Sequence, residues 1–386
     1  MDAVAAVKHS NNNGDQVLNI IYTNADCLTN KRDDLLLLLN SLDFKPSIIV
    51  ITEVNSKINN NMLESEFSLS GYNIFSVNVG TNDHRGIIVY VDRSLTVCQP
   101  EVGTNFKECL LLQIRDSGKC ILTIGAIYRS PNSKTDNNYQ LFELLDSLNR
   151  QKLGKLLLVG DFNIRNIDWT NCQVVGTNSV AIKLLECLRK NDYSQHVLVP
   201  TRSRGSQLPS VLDLVLTNQD FVDSVYTLSP LGKSDHSVLH IKCNLSIRQS
   251  ENAPKLNYNK GDYDKLRHYL DENLSFSKES TLCDNASEIW VTLRETIDKG
   301  IKMYIPLNKN NQWRRKESWC HPIDKELRQI ISRKHRLWTR YQETRDINIF
   351  NEYKRTRNLA RKGTRKTTQR VQSDIAKTCK DDPKKF

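Results

Sequence analysis

Short apolar runs, each closed by a polar residue, recur along most of the chain. Val17–Thr23 (VLNIIYT), Ser47–Thr52 (SIIVIT) and Leu156–Val159 read as buried strands. Tyr72–Val77, Gly86–Val91, Leu95–Gln99, Cys109–Arg115, Cys120–Tyr128, Val211–Thr217, Val222–Leu228 and Val238–Cys243 continue the strand pattern. Lys31–Leu42, Asn138–Arg150 and Ser179–Asn191 carry helical spacing, with Asn30 placed to cap the first. Many short strands with a few helices, ending near residue 247, predict one α/β domain of enzyme size. Ile247–Lys260 reads as a linker, followed by helices over Tyr263–Leu274 and Asn285–Tyr304. From Pro322 a long, charged, helix-prone stretch begins, which Gly363 is expected to interrupt.

Polar side chains gather where the strands end. Asn24-Ala25-Asp26 follow the first strand, Glu53 closes the second, and Tyr128 ends another. Gly160 stops the LLLV run, and Asp161-Phe162-Asn163 follow at once. Asp161 and Asn163 sit two apart on extended backbone and so point to the same side. A carboxylate there can take a proton from water, and an amide can fix that water or a phosphate oxygen. Taken alone, the pair reads equally as a turn that ends a strand. Asp213, flanked by leucines and valine, needs a partner. Ser234-Asp235-His236 open the last strand. In an α/β architecture strand ends gather at one site. Hard carboxylates with few histidines suit Mg²⁺ rather than zinc. Together these ingredients point to metal-assisted phosphodiester hydrolysis.

Charge changes the picture for the end of the chain. The net charge is +11, yet Asn311–Phe386 holds 22 Lys+Arg against 9 Asp+Glu, which leaves residues 1–310 slightly negative. A near-neutral body with a basic tail suits a polyanionic partner, and equally a solvated helical face. No apolar run reaches the length of a membrane span, and MDAVAAVKHSNNNGD lacks the pattern of a secretory signal. Ten scattered cysteines form no CxxC pair and fit a reducing compartment better than a disulfide framework or a zinc site. Cys320-His321-Pro322 is too isolated to be a metal site.

The ordered set Asn24-Xaa-Asp26, Thr52-Glu53, Tyr128 with Pro131-Asn132, Gly160-Asp-Phe-Asn163, Leu212-Asp213 and Ser234-Asp-His236 resembles the endonuclease/exonuclease/phosphatase superfamily. The superfamily includes apurinic/apyrimidinic endonucleases and DNase I. The phrases IYTNADCLTNKRDDL, GDFNIRNIDW, PTR, LDLVLTN and GKSDHSVL are similar to endonuclease domains of non-LTR retrotransposons of the jockey and chicken-repeat group. This resemblance covers roughly residues 17–247. It implies a four-layer α/β sandwich, DNase I-like, behind a lead-in over 1–16. A linker and helical connector over 248–310 and a basic helical region over 311–386 would follow. It further implies that Glu53 holds Mg²⁺ (or Mn²⁺), with Asp26 nearby and Asn24 in support. Asp161 would orient or deprotonate the attacking water, and Asn163 would position water and phosphate. His236, paired with Asp213, would bind and polarise the scissile phosphate. Tyr128, Asn132, Thr201 and Arg202 would contact phosphate or substrate, and Asp235 would ligate metal or assist the leaving oxygen. The family often has glycines where His84-Arg85-Gly86 stands here.

In such relatives a reverse transcriptase follows, and Ser373–Phe386 resembles the approach to it, although no polymerase Phe/Tyr-Xaa-Asp-Asp motif is present. The chain then reads as an N-terminal piece of a longer element protein. The implied activity is a nick in target DNA that leaves a 3′-hydroxyl to prime reverse transcription. The basic region would hold element RNA or target DNA, with synthesis in the cytoplasm and action in the nucleus. Rival readings are a superfamily phosphatase on a soluble phosphoester and a non-catalytic nucleic-acid-binding remnant.

Overall fold

Alternation of apolar side chains builds two six-stranded sheets. The computed structural model describes residues 15–56, 64–81, 84–116, 118–151, 153–204, 207–248, 256–274, 286–306 and 324–378. Residues 1–14 of the lead-in, half of the linker, Cys320–Pro322 and the last residues of the chain lie outside these. The strands are β1 (Asp15–Asn24), β2 (Ile48–Thr52), β3 (Tyr72–Val77), β4 (Ile87–Asp92), β5 (Thr96–Cys98), β6 (Cys109–Asp116) and β7 (Lys119–Tyr128). They continue with β8 (Leu156–Asp161), β9 (Ile167–Asp168), β10 (Gln173–Val174), β11 (Ser194–Gln195), β12 (Asp213–Thr217), β13 (Val222–Leu228) and β14 (Val238–Arg248). One sheet runs β13-β14-β1-β2-β4-β3 and the other β11-β12-β8-β7-β6-β5, while β9 and β10 pair separately.

Each large sheet holds one parallel pair, β1 with β2 and β7 with β8. Parallel neighbours need a crossover, and a helix supplies it in both cases: α1 (Arg32–Ser41) and α2 (Thr135–Arg150). A third helix, α3 (Ser179–Lys190), lies beside α2; Asn178 caps it by accepting from Val180 N and Ala181 N. Period-2 geometry sorts the side chains. Leu157 and Val159 of β8 join Leu122, Ile124 and Ala126 of β7 in the core between the sheets. Leu156 and Leu158 face the other way, onto leucines of α2 and α3. On the far side, Ile49 and Ile51 of β2 meet Leu35, Leu38 and Leu39 of α1. The layers are therefore helix, sheet, sheet, helix, the expected four-layer sandwich.

Gly160 is dictated by contact. A Cβ there would stand 1.8 Å from the Ile127 carbonyl oxygen, so β7 and β8 close up only over glycine.

Two long helices, α6 (Lys325–Thr344) and α7 (Ile347–Thr378), belong to the same compact unit as the sandwich; α4 (Tyr263–Asn273) and α5 (Ala286–Tyr304) form a second unit. Asp324 caps α6, and Arg345, with φ of 55°, turns the chain into α7. Aromatic rings zip the pair, Trp338 tilted against Tyr353 at 5.0 Å and Tyr341 stacked on Phe350 at 4.7 Å. Leu327, Ile331 and Ala360 bury Leu37 of α1, and Arg361 Nε lies 3.3 Å from Asp34 Oδ2.

Two expectations fail here for local reasons. Gly363 does not interrupt the basic stretch: α7 runs through it, because Leu327 packs where a side chain would be, 2.8 Å from an ideal Cβ. Asn30 does not cap α1: Thr29–Lys31 form a 3-10 turn first, and the Asn30 amide reaches Cys27 Sγ instead.

Candidate active site

The two parallel pairs end side by side, and their ends carry the polar cluster. Backbone bonds extend the β1–β2 ladder past its strands, Ala25 N to Thr52 O and Cys27 N to Glu53 O. Asp26, Glu53 and Asn163 then take positive φ values of 42°, 52° and 50°, which turn the chain sharply off the sheets. Non-glycine residues pay for that region with strain that the surroundings must hold, a common mark of functional sites.

Asn24 is the hub between the sheets. Its Nδ2 donates to Glu53 Oε1 and to Asp161 Oδ2, both at 2.9 Å, while its Oδ1 accepts from Asp26 N at 3.0 Å. Asp161 also accepts from Asn163, through backbone N and side-chain Nδ2, each at 3.0 Å. Asp161 and Asn163 do meet, but not along extended backbone as expected: Asn163 is left-handed, and the backbone bond to Asp161 closes the Asx turn of the alternative reading.

Behind this lies a buried acid–histidine pair. His236 Nδ1 and Asp213 Oδ2 are 2.8 Å apart, and Asp213 Oδ1 accepts from Tyr22 Oη at 2.8 Å. Thr201 is buried; its Oγ1 accepts from the backbone N of Leu212 and Asp213 and so fixes where Asp213 points. His236 Nε2 faces Asp161 Oδ2 at 3.8 Å and Asp235 Oδ1 at 3.9 Å. Arg202 Nε donates to Asp235 Oδ2 at 2.9 Å. Ser234 Oγ donates to Asn24 O and accepts from His236 N, tying the His236 segment to β1. Tyr128 is buried at the end of β7, whereas Asn132 lies exposed in the loop that follows.

Charge in this cluster is set by burial and by proximity. Burial opposes a charge on His236, but Asp213 and Asp161 outweigh it and hold the imidazole protonated well above its usual range. Burial, with Asp213 and Glu53 close by, raises Asp161 above the usual carboxylate range. Burial, then the Glu53 and Asp161 carboxylates, keep the Tyr128 phenol protonated. Arg202 and His236 hold Asp235 low against the opposing effect of burial.

Several contributors were not singled out as site residues, although the loop at His84-Arg85-Gly86 stands out for departing from the family's glycines. Arg85 Nη2 lies 2.5 Å from Glu53 Oε2 and 3.3 Å from Asp26 Oδ1, while its Nε and Nη1 are buried with no hydrogen-bond partner among the described residues. Lys31 Nζ donates to the Asp26 carbonyl. His84 stands 3.6 Å from Glu108, a carboxyl that burial raises. Arg129 is buried and donates to Asn138 Oδ1 and to the carbonyl of Asn163. Its place directly after the Tyr128 strand end was the one sequence cue available.

Two groups of side chains were tested as places for a divalent cation. The ligand atoms of Asp161, Asp213 and His236 lie within 4.8 Å of one another. There His236 spends Nδ1 on Asp213 and stays protonated, which leaves an imidazolium and not a ligand lone pair. Glu53 and Asp26 offer hard carboxylate oxygens, and their side chains are 13% and 44% exposed, so an ion can enter. A guanidinium already stands against both carboxylates, so the place demands positive charge. The residues fit a hard divalent cation at Glu53 and Asp26.

Residues 122–240 match the family model described as endonuclease-reverse transcriptase. No curated protein matches the chain by sequence. Solved structures with a similar course include the endonuclease domain of TRAS1, a telomere-specific non-LTR retrotransposon, at 21% identity and TM-score 0.45, covering 59% of this chain and 99% of that one. The 3′ phosphatase NExo from Neisseria, bound to product DNA hairpin, has 16% identity and TM-score 0.44 over 58% of this chain and 99% of that one. The AP endonuclease LMAP from Leishmania major has 12% identity and TM-score 0.47 over 59% and 88%.

Proposed function

Taking the sandwich as an endonuclease/exonuclease/phosphatase-superfamily domain of the retrotransposon-endonuclease kind, we propose that it nicks target DNA by Mg²⁺-dependent phosphodiester hydrolysis. The observation that carries this reading is the buried Asp213–His236 pair at 2.8 Å, with Asp161 facing the same imidazole. A cation charge fixed by a buried carboxylate is what a phosphate oxygen gaining negative charge requires.

In this reading Asp213 and Thr201 hold His236 so that Nε2–H donates to a non-bridging phosphate oxygen. Asn163 orients the attacking water, and Asp161 accepts its proton as the water oxygen bonds to phosphorus. The bond from phosphorus to the 3′ oxygen breaks as that oxygen takes a proton from solvent water. The ionised Asp235 carboxylate steadies the His236 imidazolium beside it. A divalent cation, when held by Glu53 and Asp26, supplies further neutralisation of phosphate charge. The products are a 3′-hydroxyl, able to prime reverse transcription, and a 5′-phosphate.

The test is nicking of supercoiled plasmid by the full chain, with Mg²⁺ or with EDTA, beside Glu53→Ala and His236→Ala. Open-circle product that needs Mg²⁺, disappears in both variants and is extended by a DNA polymerase supports the reading. A folded wild-type chain that leaves plasmid intact while hydrolysing a soluble phosphomonoester would replace it with a phosphatase.

A further inference from the structure

The basic hairpin is fastened to the segment that carries His236. His335 Nδ1 of α6 lies 3.1 Å from Ser229 Oγ, and Gln342 Nε2 donates to Ser237 Oγ at 3.3 Å. At the turn, Arg345 Nη1 donates to Ser203 Oγ at 3.3 Å, and Ser203 N in turn donates to the Asp235 carbonyl. Residues 229–237 therefore have the α/β site on one side and the hairpin on the other.

Lys233, two residues before Asp235, stands at the head of an open groove of about 540 Å³. Among the described residues its other walls come from α7: Arg361, Lys362, Arg365 and Lys366, with two amide side chains and no acidic residue. Asp34 answers Arg361 from outside the lining and leaves four cations facing the groove. Lys362, Arg365, Lys366 and Gln369 recur at the three- and four-residue spacing of one helix face. From Asn358 to Gln369 this face runs roughly 17 Å along the helix, about five phosphate spacings of one strand. Length, openness and sign all suit a chain of phosphates rather than a single phosphoryl group.

We propose that this groove binds the sugar–phosphate backbone of duplex DNA flanking the cleaved bond, so that the hairpin is part of the substrate track. The inference rests on the endonuclease reading, and it draws on Lys233 lying three residues from His236 in the same 229–237 segment.

Binding to a fluorescein-labelled duplex by the full chain in EDTA, across a KCl series, tests it without any cleavage. The Lys362→Ser/Arg365→Ser/Lys366→Ser variant changes only exposed groove residues, and Lys366→Ser alone is the milder version. At roughly 0.9 per phosphate contact, the triple variant should flatten log K against log salt by about 2.7 and the single one by about 0.9. Binding at moderate salt should weaken at least about tenfold, while Arg336→Ser/Arg340→Ser, outside the groove lining, should keep a slope nearer wild type. In nicking assays KM should rise with kcat retained. A triple variant with the wild-type melting temperature and the wild-type slope would overturn the proposal. So would loss of affinity for single-stranded RNA with duplex affinity kept, which would make the partner RNA. Groove-dependent duplex binding by a chain that never nicks would instead overturn the endonuclease reading and leave the groove standing.

Discussion

Arg85 and Glu53 form a 2.5 Å ion pair at the outer part of the site, where a divalent cation fits. The guanidinium and the cation compete for one carboxylate. Arg85→Ala is expected to tighten Mn²⁺ binding by about tenfold, or about 1.4 kcal/mol, measured by electron paramagnetic resonance of free Mn²⁺. The metal-free variant should also melt lower, since Glu53 and Asp26 lose their shared counter-charge. Unchanged or weaker Mn²⁺ affinity would show that Arg85 does not occupy the cation's place.

Asp213→Asn keeps the shape of the buried pair and removes its charge. The His236 pKa should then fall, because the carboxylate that offsets burial is gone. Nicking should drop roughly 10²–10⁴-fold, the usual weight of one acid–base group. NMR titration of the His236 ring checks the first outcome, and a His236 that stays protonated to the same pH would rule out Asp213 as the cause.

His335 sets an acid limit on the hairpin contact. Burial, with Lys334 adding to it, lowers its pKa to about 3. An unfolded histidine titrates near 6.5, so between about 6.5 and 3 the unfolded chain binds more protons than the folded one. The contribution of His335 to stability therefore falls as pH drops through that window, by up to about 1.4 kcal/mol per pH unit. His240, lowered to about 4, adds a slope of the same sign, whereas the raised His236 contributes its stability below its unfolded value and loses it at alkaline pH. Denaturant melts of His335→Gln between pH 7 and 4.5 should show a shallower acid slope; an identical slope would assign the effect elsewhere.

Two glycines give opposite forecasts for the same substitution. Gly160→Ala would press a methyl group 1.8 Å from the Ile127 carbonyl oxygen, and backbone cannot step aside. A loss above about 3 kcal/mol, or no soluble protein, is expected. Gly125→Ala meets the ends of Leu158 and Leu111, which can rotate, so about 1–3 kcal/mol is the expected cost. Thermal melts of the pair would refute this contrast if both behaved alike.

The sandwich was legible because each buried strand is a short apolar run with a polar stop. That is why Glu53 and Asp161 stood out before any geometry was known. Asp213 by itself announced only that it needed a partner; its pairing with His236, 23 residues on, came from the family resemblance and not from any local pattern. Arg85 was hidden for a different reason. It sits in a polar loop with no periodicity, and its importance comes from the β2–β4 pairing that brings it to Glu53. Gly363 misled because propensity counts a helix alone, while here Leu327 of the neighbouring helix takes the space a side chain would fill.

The hairpin's return to the sandwich makes this compact unit discontinuous along the chain. Its described parts come from residues 15–248 and 324–378, and α4 and α5 of the second unit lie between them in sequence. A stop codon near residue 250 would strip the cover from Leu37 and loosen the grip on Ser229, Ser203 and Ser237 at once. For expression or fusion, the region to trim or replace is the interior stretch, with the two outer pieces kept in one polypeptide.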